Sequence, residues 1–121
     1  MSGVHAPGVR DLDAAVAASH HTALAHGLAT RAIRAVSANA EVGLAVNMTN
    51  YRTDNATDPD LRTLTGLMDG HINRWWIDAL HTGNYPRELE ELYGERLSRV
   101  LLPGDREILK VETDFLGINY Y

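Results

Sequence analysis

The sequence predicts an α/β fold, in which helices alternate with short strands of a parallel sheet. Three observations predict it. Residues 114–121 carry apolar side chains on both alternation sets, Phe115 on one and Leu116 and Ile118 on the other; a strand apolar on both faces belongs to a parallel sheet covered by helices. A second short stretch, residues 41–47, is likewise free of charge beyond Glu41 and two-sided. Segments of helical spacing precede and separate the two, which is the order of βαβ units.

The elements follow in turn. Gly3, Pro7 and Gly8 mark an opening loop. Asp11 or Asp13 caps a helix running to about Val36, whose Ala17, His21, Leu24, Leu28, Ala32 and Ala35 recur at spacings of three and four and form the expected buried stripe. The strand over residues 41–47 has unequal faces: Val42, Leu44 and Val46 on one, Gly43, Ala45 and Asn47 on the other. The branched face suits helices, the small face a crowded interior. Residues 48–57 read as a polar loop, and Asp58-Pro59 opens a second helix with proline at its first position. Leu61, Leu64, Met68, Ile72, Trp75, Trp76 and Leu80 keep helical spacing to about residue 81, where Gly83 ends the helix. Short helices are expected over residues 86–93 and 105–109, separated by Gly94 and Pro103-Gly104, and the strand over 113–121 closes the chain.

Composition narrows the function classes. The chain has 121 residues, enough for one ordinary core, and its 45% hydrophobic content is that of a globular protein. A net charge of −5 without a basic stripe argues against a nucleic-acid partner. The absence of cysteine removes disulfides and thiolate metal sites. No apolar run reaches the roughly 18 residues of a membrane span. Residues 1–10 lack the apolar segment of a secretory signal, so a cytoplasmic location is expected. His20, His21 and His26 share a helix but do not have the paired spacing with an intervening Glu of a zinc helix, and are expected to be structural. No metal or cofactor is expected. Trp75 and Trp76 are expected in the core, and residues 87–99 as a solvated, charge-rich face.

Polar residues mark the carboxyl ends of both strands. Asn47 shares a row with Gly43 and Ala45; Asn119 and Tyr121 share one with Phe115 and Gly117. If both rows face a barrel axis, Asn47, Asn119 and Tyr121 converge at the mouth, where α/β barrels keep their chemistry. Strand ends are polar in any case, so the pattern alone serves equally well for groups that satisfy nearby backbone.

Residues 2–8 (Ser-Gly-Val-His-Ala-Pro-Gly), His20-His21 with Ala25-His26-Gly27, Gly70-His71-Ile72-Asn73-Arg74-Trp75-Trp76, Gly83-Asn84-Tyr85-Pro86 and residues 114–121 closely resemble glycoside hydrolase family 1, the β-glucosidase family. The similarity runs through the whole chain in order. It implies a (β/α)8 barrel and retaining hydrolysis of β-glycosides. Two glutamates about 5–5.5 Å apart carry that reaction, one as nucleophile and one as acid/base. In the family they lie in an Asn-Glu-Pro and a Glu-Asn-Gly motif. Glu41, Glu88, Glu90, Glu91, Glu95, Glu107 and Glu112 stand in neither. The resemblance thus implies an internal piece of one catalytic barrel, residues 1–121, from the loop after strand four through strand six, whose two strands are neighbours in family order and should pair; a whole barrel takes about 250 residues. It further implies that Tyr121 donates a hydrogen bond to the missing nucleophile. Asn119 would support the sugar, Asn47 would lie toward the aglycone, and His5 would border the cleft entrance. Ala79 departs from a proline common in relatives, a change at a helix end.

Three readings follow. The chain is part of a β-glucosidase and inactive alone; or it assembles with complementary fragments into a working barrel that takes a β-glucoside; or it is a non-catalytic interaction module. Bare strand edges count against the last, because they promote association. The isolated chain is expected to be marginally stable, partly molten or self-associating.

Overall fold

The computed structural model describes Val4 and residues 6–119. Helix α1 (Leu12–Val36) leads to strand β1 (Gly43–Asn47). Helix α2 (Pro59–Asp69), a π-helical turn (Gly70–Arg74) and helix α3 (Trp75–Thr82) follow as one rod. Three short helices, α4 (Arg87–Tyr93), α5 (Glu95–Ser98) and α6 (Asp105–Leu109), lead back to strand β2 (Phe115–Asn119). The two strands pair in parallel, so the α/β prediction and the pairing hold.

Asp11 caps α1, its Oδ1 accepting the Ala14 N–H at 3.0 Å. The face that α1 buries is Val16, His20, Ala23, Gly27 and Thr30. The expected stripe lies beside it: His21, Leu28, Ala32 and Ala35 are exposed. Close approach and polar pairing decide the face, not side-chain hydrophobicity. A Cβ on Gly27 would lie 2.1 Å from the Ile108 carbonyl oxygen, so α1 meets α6 backbone to backbone there. His20 is wholly buried because it has partners. Its Nε2 is 3.0 Å from Asp105 Oδ2 and its Nδ1 2.8 Å from the Tyr85 hydroxyl. With Nε2–H donating to the carboxylate, Nδ1 accepts the tyrosine proton. Asp105 Oδ2 also accepts the Leu102 N–H at 2.7 Å. One imidazole thus joins α1 to α6 and to the turn before α4.

The predicted second helix is not uniform. Asp58 caps it through the Asp60 and Leu61 N–H groups, at 2.9 and 3.2 Å, with Pro59 at the first position. The π turn then adds one residue to a turn, the Trp75 N–H reaching back to the Gly70 carbonyl. An extra residue turns everything after it by about 100° relative to a regular helix. Leu61, Leu64 and Met68 are therefore not on the core stripe, and α2 buries no residue at all. Trp75, Ala79 and Leu80 do enter the core. Gly83, at φ 78°, closes α3 by donating to Ala79 O, which places Ala79 in the last turn.

The core forms around Trp75. Its ring stacks on Tyr85 at 4.0 Å between centroids and meets Tyr93 edge-on at 5.8 Å; such pairs add about 0.5–1.5 kcal/mol each beyond area burial. Leu89 and Tyr93 of α4, Leu97 of α5 and Leu109 of α6 complete it. Arg87 and Glu91 pair on the exposed face of α4, so the charge-rich segment is half solvated and half core.

The final strand lies open, although its two-sided apolar pattern suits a strand covered by helices. Phe115 is 52% exposed and Ile118 58%, on opposite faces. On β1 only the branched face packs: Val46 is buried and Leu44 half-buried, while Ala45 and Asn47 are exposed. Among the described residues, no helix is long and apolar enough to cross a membrane.

Gly27→Ala is expected to force α1 off α6 and to cost about 1–3 kcal/mol, as overpacking does. Gly66→Ala, where an added Cβ meets nothing within 4 Å, should instead stabilise by up to about 1 kcal/mol. Urea unfolding midpoints of the two variants against the parent chain check both.

Candidate active-site edge

The site begins with the register of the sheet. Gly43 pairs with Phe115, Ala45 with Gly117 and Asn47 with Asn119. Paired residues of parallel strands point to the same face, about 4.8 Å apart. Asn47 and Asn119 therefore stand side by side at the carboxyl end, on the face turned from the branched side of β1. The row beneath them is small at Ala45 and Gly117, where an added Cβ on Gly117 would lie 3.2 Å from that of Ala45. The ladder runs one step further, with Met48 N–H donating to Asn119 O at 3.1 Å. The structure thus brings together two of the four residues singled out above. Tyr121 and His5 lie outside the described residues.

Both ends of this register are tied. Before the strands, Asp114 N–H donates to Val42 O, and the Asp114 carboxylate accepts the Val42 N–H, each at 2.8 Å. Arg34 of α1 holds the same Oδ2 at 2.9 Å. The Val42 N–H, then Arg34, keep the Asp114 carboxyl below the usual carboxylate range. This is why the first strand begins at Gly43 and not, as expected, at Glu41: the backbone ahead of it is engaged by a side chain.

After β1, Asn73 of the π turn takes over. Its Oδ1 accepts the Thr49 N–H at 3.0 Å, and its Nδ2 donates to Thr49 O at 2.8 Å and to Asp69 Oδ1 at 2.7 Å. Asp69 pairs with Arg74 at 2.7 Å, and Arg74 also engages Glu88 and, at 3.7 Å, Asp78. Partial burial would raise the Asp69 pKa, but Asn73 and Arg74 prevail and lower it. Glu88 is lowered by its own backbone N–H, and also by Arg74. At Asp78 burial dominates and the carboxyl is raised. The helical spacing of Ile72, Trp75 and Trp76 points to the apolar residues of this run and gives Asn73 no role; an asparagine between them is the available signal.

A concavity of about 640 Å3 lies on the helix side, between Val16 of α1, Leu44 and Val46 of β1, and Trp75 and Trp76, with Asn47 also in its lining. It is a mainly apolar groove, with Ser19, Thr22, Asn47 and His71 as polar groups in its lining. Among the described residues, no group of three or more His, Cys, Asp or Glu is placed to hold a metal ion.

A parallel pair with polar carboxyl ends and helices packed on one face is the unit of α/β proteins, (β/α)8 barrels among them. The particular barrel is identified by comparison. The sequence model of Glycosyl hydrolase family 1 matches residues 1–121, and the chain belongs to that family. A β-glucosidase of an Agrobacterium species is 37% identical over 121 residues, covering all of this chain and 26% of the relative. β-Glucosidase A of Acetivibrio thermocellus is 30% identical over 98% of the chain and 27% of its own length. The crystal structure of a psychrophilic β-glucosidase from Micrococcus antarcticus superposes with a TM-score of 0.92 at 41% identity, over 98% of this chain and 25% of that one. The virulence factor SghA, solved with its substrate analog salicin, gives 0.87 at 33% identity, over 98% and 26%. The chain thus spans about a quarter of the length of these relatives.

Because the Asp114 pKa is depressed, its contribution to stability is present above the ordinary carboxylate value and is lost as pH falls through the lower folded value. The Val42 amide should therefore stay protected at neutral pH and lose protection only below the ordinary carboxylate range. An acid titration followed by the Val42 amide resonance reads this, with Asp114→Asn expected to abolish the transition.

Proposed function

We propose that this chain supplies strands five and six, with their outer helices, to the catalytic barrel of a retaining β-glucosidase, and that it is inactive alone. The observation that carries the reading is the asparagine pair, Asn47 beside Asn119, at the carboxyl end of a parallel pair in a family 1 chain. The proposed substrate is a β-glucoside, supported by the β-glucosidases among its relatives.

In this reading the two glutamates come from the rest of the barrel. One attacks the anomeric carbon, while the other protonates the leaving oxygen and then deprotonates water. Tyr121 donates its phenolic hydrogen to the nucleophile, favouring the ionised carboxylate and aiming it. Asn119 offers an amide to a sugar hydroxyl. Asn47, beside it, and His5 reach toward the aglycone. Without the carboxylates, only binding and orientation remain.

The bare faces of β2 and the apolar groove behind β1 favour completion by complementary barrel segments over a free-standing interaction module. A chain that leaves them open is expected to self-associate.

The test measures release of the aglycone from an aryl β-glucoside. The chain alone should give none; hydrolysis should return when segments carrying the missing strands of a family member complete the barrel. Activity of the isolated chain would overturn the assignment. In the completed barrel Asn119→Ala should lower kcat/KM about tenfold, the worth of one hydrogen bond to substrate.

A further inference from the structure

We infer that Asn73 is a positioning residue for the candidate sugar site: it fixes the backbone leaving β1 and, through it, the direction of the Asn47 side chain. The inference rests on the proposed role of Asn47. Asn73 is only 6% exposed, and its amide is committed on both sides. It exchanges two hydrogen bonds with the backbone of a single residue, Thr49, at 3.0 and 2.8 Å. That is what a neighbouring strand would do, and it occurs where the strand ladder stops, one residue past the last bond from Met48. A residue two positions from Asn47 along the chain is thereby held as if still in the sheet.

The orientation of the amide is enforced. A carboxylate can only accept, so Asp69 selects the Nδ2 side of Asn73 and leaves Oδ1 for the Thr49 N–H. Arg74 holds the other oxygen of Asp69. The π turn supplies the geometry, carrying a polar side chain inward from a helix whose next residues, Arg74 and Trp75, serve the ion-pair network and the core. A residue that only capped a loop would not need both groups of one peptide residue and a fixed amide orientation.

The test uses the completed barrel with this chain isotopically labelled. Thr49 amide exchange and the Asn47 side-chain amide resonances are compared in the parent, Asn73→Ala and Asn73→Asp. Gly27→Ala serves as a control that loosens α1 against α6 away from Thr49. Asn73→Ala should speed Thr49 exchange at least about tenfold and shift the Asn47 resonances. Asn73→Asp, which keeps an acceptor for the Thr49 N–H but loses the donor and sets a carboxylate against Asp69, should speed exchange at least as much, and it stands in if the alanine variant does not fold. Gly27→Ala should move neither signal. On an aryl β-glucoside, Asn73→Ala should lower kcat/KM about tenfold alone but little further in an Asn47→Ala background, because the group it serves is gone. Unchanged Thr49 exchange, unmoved Asn47 resonances or fully additive losses would overturn the inference. A folded, completed parent barrel without activity would instead overturn the functional reading; the Thr49 and Asn47 signals would still decide whether Asn73 positions this edge.

Discussion

The alignment of β1 with β2 is the constraint on which the rest depends. A shift of one residue would turn Asn47 away from Asn119 and put Leu44 and Val46 where glycine and alanine now stand. Five paired residues are too few to enforce that alignment themselves. It is enforced from outside the ladder, by the Asp114 carboxylate on Val42 at one end and by Asn73 on Thr49 at the other. Both devices use a side chain to occupy backbone groups that a further strand residue would otherwise pair. Each anchors the strands to a helix: Arg34 on α1 reaches Asp114, and Asn73 belongs to the α2–α3 rod.

The helical layer is held by unlike means on its two sides. Around Trp75 it is aromatic and aliphatic, with Tyr85, Tyr93, Leu89 and Leu97 packed together. Between α1 and α6 it is close backbone contact at Gly27 and a buried polar chain through His20, Asp105 and Tyr85. Tyr85 belongs to both: its ring stacks on Trp75 while its hydroxyl serves His20. Burial drives the Tyr85 pKa upward, so the phenol stays protonated and remains a donor to the imidazole. The family 1 motifs that flank these residues, His20-His21 and Gly83-Asn84-Tyr85-Pro86, thus have a packing role separate from sugar chemistry.

Much of this was legible in the sequence. The punctuation at Asp11, Asp58-Pro59, Gly83 and Gly94 located helix ends, and the two-sided strands predicted parallel pairing. The inner rows of glycine, alanine and asparagine put Asn47 and Asn119 together on the condition that both rows face a barrel axis. Three things were not legible, each for a physical reason. The buried face of α1 was set by partners for His20 and by clearance at Gly27, which lie 85 and 81 residues away at Asp105 and Ile108. Periodicity assumes 3.6 residues per turn throughout, so it carried the Leu61 stripe straight through a π turn that breaks it. Apolar patterning marked β2 as a strand to be covered, but covering depends on what lies beside it, and Phe115 and Ile118 stay more than half exposed.

The π turn also sets a length rule for this stretch. The Gly70–Arg74 segment holds one residue more than a regular turn would, and that residue is what lets Asn73 and Trp75 face their separate partners. Removing a single residue here would restore a regular helix and leave its hydrogen bonding intact. Everything downstream would nevertheless rotate by about 100°, carrying Trp75 away from Tyr85. Sequence drift in this segment is therefore constrained less by which residues it contains than by how many. A surface helix elsewhere could absorb a deletion by sliding, but this one is counted from both ends, by Asp69 and Asn73 on one side and by Trp75 on the other.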